Sequence, residues 1–297
     1  MNGMNKNIFF IVILVISINI VIIFYRYKLN TYKHKIKIND EYFYVYDFHK
    51  NKNIKNTFVI LPSYSYFDAK TYIEKKKYVK YEANKDFKNL IDNLCKENNR
   101  VLVIEYFGYN ESGETKRERT SENICEEIHT ALKTLNIQNY YLIPHSISGL
   151  YTLDYIKRYK NEVQGIIGID ITLPYYFIEA CDSNEEYLKI KFETEGKKIS
   201  QTYINMHNYF WITSNNIKDF SFDKELPVLL FTPISKIEYI NDEIKNNRLK
   251  TKVIDYLENK ITNKKIQKII TLEGNHYLHQ TQYKTMSKNI LEFVNKA

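Results

Sequence analysis

Tyr140-Tyr141-Leu142-Ile143-Pro144-His145-Ser146-Ile147-Ser148-Gly149 is the stretch on which the reading of this 297-residue chain turns. Its first four residues are apolar or aromatic and suit a strand buried on both faces. Beyond it, Leu150, Leu153 and Ile156 recur at helical spacing. Between strand and helix lies a sharp turn with Ser146 at its apex. A strand, a turn and a helix in that order is the setting in which a G-x-S-x-G segment presents a nucleophilic serine. Such a turn brings its neighbours close to the backbone, so small residues are wanted two before and two after. Ser148 meets that demand. Pro144 stands where Gly or Ala is usual, and a strand-end φ near −65° accepts it. The alternative for Ser146 is a structural hydroxyl.

Working outward, short apolar runs appear at 57–61, 101–104, 163–169, 228–231 and 269–272. Each suits a strand buried on both faces of a parallel sheet. Helical patterns lie between them: Phe87, Leu90, Ile91 and Leu94; Ile124, Ile128, Leu132 and Leu135; Met286, Ile290 and Phe293. Strands alternating with helices mean an α/β doubly wound domain with right-handed crossovers. Ahead of it, residues 33–38 and 41–48 read as a β-hairpin around Asn39-Asp40. Residues 175–225 break the rhythm. They are longer than one crossover helix needs and rich in aromatic side chains, among them Tyr187, Phe210 and Trp211. They read as an inserted helical cap over the strand ends, or as two ordinary surface helices. The core then comprises 31–174 and 226–297.

Composition narrows the class. The chain holds only 8 Gly and 5 Pro, against roughly 20 and 15 at average usage. Collagen-like, linker-like and Pro-rich disordered readings are excluded. With 44% hydrophobic and 15% aromatic residues, one sizeable core is supplied. The net charge of +8 comes from scattered lysines, and no nucleic-acid-binding motif accompanies it, so no nucleic-acid partner is expected. Cys95, Cys125 and Cys181 form no CxxC pair and suggest neither a disulfide framework nor zinc.

Residues 8–24, from Ile8 to Phe24, carry no charge. They are almost all Ile, Val, Leu and Phe, and a span of about 17 residues reaches the lower limit for a membrane-spanning helix. No small-residue cleavage site follows. An uncleaved single-pass anchor is expected for residues 1–30, placing the protein at the cell membrane; a cleaved signal and a buried core helix are the alternatives. Lys6 precedes the segment, while Arg26, Lys28, Lys33 and Lys35 follow it, which favours a cytoplasmic main domain. An exported domain stays open.

Catalytic groups in open α/β sheets gather at the carboxyl ends of strands. After 269–272 comes Glu273-Gly274-Asn275-His276, placing His276 where a general base for Ser146 belongs. His279 competes for that role. A His276-x-x-His279 metal site lacks an acidic partner cluster, so no metal and no cofactor are expected. For the acid there are two candidates. Asp170 ends the 163–169 run, and Glu238 follows 228–231 by way of Lys236, which stands where Asp is usual. An oxyanion hole needs two converging backbone donors. The Ile147 amide is the first, and Tyr64, in the Pro62-Ser63-Tyr64-Ser65 loop, is favoured for the second.

Glu105-Tyr106-Phe107-Gly108-Tyr109-Asn110-Glu111-Ser112 resembles the D-x-P-G-x-G-x-S loop of α/β-hydrolases. With 144–149, 165–170 and 274–276, the resemblance covers most of 57–297, and the elbow and the 166–170 segment especially resemble membrane-associated bacterial members. It implies an eight-stranded, mostly parallel sheet with helices on both faces, a Ser-acid-His triad in that chain order and a cap after the sixth strand. Haloalkane dehalogenases also place an acid after that strand but use an Asp nucleophile. Ser146 therefore favours hydrolysis of an ester or related acyl bond in a small-molecule substrate, a lipid ester being one candidate. Peptidase, thioesterase and acyltransferase action on the same triad remain open, as does a catalytically silent binding module.

Overall fold

The computed structural model describes residues 29–63, 82–194, 201–234 and 252–296, together with Ile13. The strands are β1 (Asn30–Ile38), β2 (Glu41–His49), β3 (Thr57–Leu61), β4 (Arg100–Glu105), β5 (Tyr140–Pro144), β6 (Val163–Ile169), β7 (Val228–Pro233) and β8 (Gln267–Leu272). They form one eight-stranded sheet in the order β1-β2-β4-β3-β5-β6-β7-β8. The β1–β2 and β2–β4 pairs are antiparallel and all the others parallel. The opening hairpin turns at Asn39, whose φ of 54° is of the kind Asn tolerates.

The helices are α1 (Ala83–Asp86), α2 (Lys88–Cys95), α3 (Ser121–Thr134), α4 (Ser148–Tyr159), α5 (Pro174–Ala180), α6 (Asn184–Thr194), α7 (Gln201–Asn216), α8 (Val253–Lys260), α9 (Leu278–Thr281) and α10 (Tyr283–Val294). Thr120 caps α3 by accepting from the Asn123 amide. The apolar stripes read from sequence face inward: Leu90, Ile91 and Leu94 on α2, Ile124, Ile128 and Leu132 on α3, and Met286 and Ile290 on α10 are buried.

Strand order fixes where a site belongs. The chain runs from β3 to β4 on one side, then returns across β3 to β5 on the other. Right-handed crossovers put α2 and α3 on opposite faces. The contacts agree, α2 packing on α10 and α3 on α4. The reversal opens a crevice at the carboxyl ends of β3 and β5, the usual ligand position in such sheets.

One strand differs from its expected environment. The 269–272 run was read as buried on both faces, whereas β8 is the sheet edge and exposes Lys268 and Thr271. Its apolar residues are only half-buried, and among the described residues no further strand pairs with this edge. Between β6 and β7, α5 and α6 both pack on α7. The Thr115 amide donates to Thr202 Oγ1 at 3.3 Å, tying the start of α7 to the loop after β4. Apart from Ile13, residues 8–24 lie outside the described residues. Among the described residues, no helix is long and apolar enough to cross a membrane.

Candidate active site

The turn between β5 and α4 carries a strained residue. Ser146 has φ +54°, the left-handed region that L-residues enter at a cost of about 1–3 kcal/mol. Backbone bonds on both flanks hold it there: His145 N–H to Leu61 O at 3.0 Å, Ser146 N–H to Ile169 O at 3.2 Å, and Thr172 N–H to Ser146 O at 2.8 Å. Gly149 lets α4 approach the loop after β6. A Cβ there would stand 2.7 Å from Ile171 Cβ and 2.8 Å from Thr172 O. The Ile147 amide donates to no acceptor among the described residues.

Ser148 contributes something that its small size does not announce. Its side chain is fully buried, and its hydroxyl donates to Pro62 O at 2.5 Å while Tyr106 OH lies 2.9 Å away. The elbow is thereby joined to the loop after β3 and to the segment after β4.

Asp170 sits at the tip of β6 with φ +39°, its amide bonded to Phe231 O at 2.8 Å. Its Oδ2 lies 2.7 Å from His276 Nδ1. Against a carboxylate, Nδ1 carries the proton, which leaves Nε2 as the acceptor nitrogen that a general base needs. Gly274, at φ +135°, gives the preceding loop a conformation that other residues rarely adopt. The Asp170 side chain is 4% exposed and that of His276 20%, so the acid is enclosed and the imidazole reachable.

His145, next to Ser146 in the chain, braces this loop. Its Nε2 donates to His276 O at 3.0 Å, and the two imidazole centroids are 4.6 Å apart. Complete burial, with His279 and His276 nearby, pushes the His145 imidazole well below its ordinary range. It therefore stays neutral, with the proton on Nε2. No hydrogen bond joins Ser146 Oγ to His276 among the described residues. Catalytic bonds are often long in ligand-free sites and tighten when substrate binds.

His279 is placed elsewhere. It is fully buried, stacked on Phe87 with centroids 4.0 Å apart, and its Nε2 lies 2.8 Å from Asp86 Oδ2. Glu238 and Tyr64, the second acid candidate and the second oxyanion donor, lie outside the described residues. Among the described residues, no group of three or more His, Cys, Asp or Glu is arranged to hold a metal ion. Sequence reasoning missed the Ser148 bridge, the His145 brace and the Asp86–His279 pair. The last joins residues 193 apart and leaves no local signal.

No family model matches the chain. A sequence relative, the uncharacterised protein YbdG of Bacillus subtilis (strain 168), is 32% identical over 107 residues. That match covers 36% of this chain and 33% of YbdG. Solved structures align far more completely. A predicted CIB-like hydrolase from Thermoplasma acidophilum matches with a TM-score of 0.57 at 11% identity, covering 91% of this chain and 100% of that one. An epoxide hydrolase from Vigna radiata matches with a TM-score of 0.59 at 13% identity, over 90% and 98%. An esterase from Exiguobacterium antarcticum matches with a TM-score of 0.56 at 13% identity, over 89% and 100%. The chain has the α/β-hydrolase fold.

Proposed function

We propose that this protein is a membrane-anchored serine hydrolase that cleaves an ester or related acyl bond in a small-molecule substrate. The observation that carries this reading is the 2.7 Å bond from His276 Nδ1 to Asp170, formed at the same sheet end as the strained Ser146 turn. Ser146 Oγ attacks the acyl carbon as its proton passes to His276 Nε2, and Asp170 stabilises the imidazolium. The Ile147 amide, with Tyr64 as its partner donor, takes the negative charge of the tetrahedral oxygen. His276 returns the proton to the leaving group, and Ser146 keeps the acyl chain. A water then attacks, its proton going to His276 and back to Ser146 as the acid departs. Helices α5–α7 form the cap, and residues 8–24 the anchor. Some structural neighbours are epoxide hydrolases. A serine at the apex, rather than a carboxylate, argues against alkyl-enzyme chemistry here. In a test with a fluorophosphonate probe, Ser146 is expected to be labelled and Ser146→Ala to be silent. Folded parent protein that does not label defeats the reading and leaves the silent binding module.

A further inference from the structure

The opening hairpin has two chemically different ends. Because β1 is antiparallel to β2 and β2 to β4, β1 runs parallel to β4. Thr31 pairs with Phe48, which pairs with Val101, so β1 begins at the amino ends of the parallel strands. Ser146 and Asp170 lie beyond the carboxyl ends. Tyr140 is level with Thr57 and Arg100, and the extended chain from Tyr140 to Ser146 spans about 20 Å. The amino-terminal segment therefore joins the domain at the end opposite the candidate site.

That end is basic and carries an exposed aromatic ring. The loop after β2 holds Lys50, Lys52 and Lys55 and no acid, with Lys52 and Lys55 exposed. Asn30 Nδ2 donates to Lys50 O at 3.2 Å, fixing this loop beside the start of β1. The Lys55 amide donates to Asn98 O at 2.9 Å, bringing exposed Lys96 alongside together with one exposed acid, Glu97, so lysines outnumber acids at this end. Tyr32 is 49% exposed and stacks on His49 with centroids 5.4 Å apart. The far end of the hairpin is mixed in charge: Asp40 and Glu41 stand beside exposed Lys35 and Lys37, and Glu111 forms an ion pair with Lys33.

We infer that Tyr32, His49, Lys50, Lys52, Lys55 and Lys96 dock on an anionic phospholipid surface, turning the candidate site away from the bilayer that holds the anchor. The inference rests on the reading of residues 8–24 as that anchor. Five residues lie between Phe24 and Asn30, six chain steps with a reach of about 20 Å. The tether includes Arg26 and Lys28. Lysines next to a membrane are drawn to anionic headgroups, and tyrosine favours the headgroup level. The consequence concerns substrate. With its mouth about 20 Å beyond the docked end, the site takes its acyl substrate from the aqueous phase and not from its own bilayer.

The test uses the full chain in nanodiscs of phosphatidylcholine, alone or mixed with phosphatidylglycerol, with amine acetylation followed by mass spectrometry. In the anionic discs Lys52, Lys55 and Lys96 are expected to react about threefold more slowly or less. Exposed Lys284 and Lys288 on α10 are expected to be unchanged, and high salt should remove the difference. The double variant Lys52→Glu, Lys55→Glu should abolish the protection of Lys96. Equal rates in the two discs, or protection of Lys284 in place of Lys52, overturn the inference. If the chain enters neither disc, the anchor reading fails, and the inference survives only if phosphatidylglycerol vesicles still carry the chain in flotation. Fluorophosphonate labelling plays no part, so failure of the hydrolase reading is seen separately.

Discussion

Two Asp–His pairs stand at the same end of this sheet, made of the same chemical parts and placed in opposite circumstances. Asp170–His276 is joined through Nδ1, and the His276 side chain is 20% exposed. Asp86–His279 is joined through Nε2, and the His279 side chain is fully buried, pressed flat against Phe87 and sharing Asp86 with Gln280. In the first pair the carboxylate takes Nδ1 of a ring that solvent reaches. In the second the carboxylate takes Nε2, while Nδ1 meets no partner among the described residues and no solvent. The lesson is that residue type does not separate the proposed catalytic pair from a buried one; the bonded nitrogen and its exposure do.

The largest expected effect breaks the comparison on the catalytic side. His276→Ala or Asp170→Asn should lower kcat/KM by about 10³–10⁴-fold, because both the tautomer and the imidazolium depend on this pair. Thermal unfolding should move little for Asp170→Asn. His279→Ala should do the reverse. Its buried ring and its bond to Asp86 are lost together, which costs roughly 2–4 kcal/mol of stability. Turnover per folded molecule should stay within about tenfold of the parent. Urea titration beside steady-state kinetics on the three variants checks both halves. Equal losses of activity at His276 and His279 would erase the distinction.

How much of this could be read in the sequence depends on how local the cause is. The elbow was legible because Ser146, its buried strand and the helix after it are contiguous, and the twist there is enforced by neighbours such as Gly149. Asp170 and His276 were legible as residues at strand tips, although their meeting across 106 positions of the chain is something no spacing reveals. His279 could be named only as a rival to His276. What separates them is Asp86 and Phe87, nearly two hundred residues away in the chain. The edge position of β8 escaped as well, since an apolar run looks the same whether or not a further strand covers it. Ser148 was legible as a small residue, but its hydroxyl acts on Pro62 and Tyr106 from other strands.

A second strand-tip carboxylate sharpens the comparison by a smaller amount. Glu105 ends β4 as Asp170 ends β6, yet it has no histidine. It is fully buried, forms no ion pair among the described residues, and its nearest side-chain donor, Asn110 Nδ2, is 3.5 Å away. Burial pushes its carboxyl up to about 7. The folded state therefore holds this proton more tightly than the unfolded chain does. The associated stability is full below the ordinary carboxyl range near 4.5 and is lost as pH rises through about 7. A gap of that size corresponds to roughly 3 kcal/mol at most. Glu105→Gln keeps the shape and removes the ionisation. Parent and variant should be similarly stable near pH 5, and the variant should be the more stable by about 2 kcal/mol near pH 8. Asp170→Asn should show no such gain, because its carboxylate already accepts a hydrogen bond from His276 Nδ1. Denaturant midpoints for both variants at the two pH values decide the matter. A Glu105→Gln curve parallel to the parent would mean that the β4 tip is as well compensated as the β6 tip.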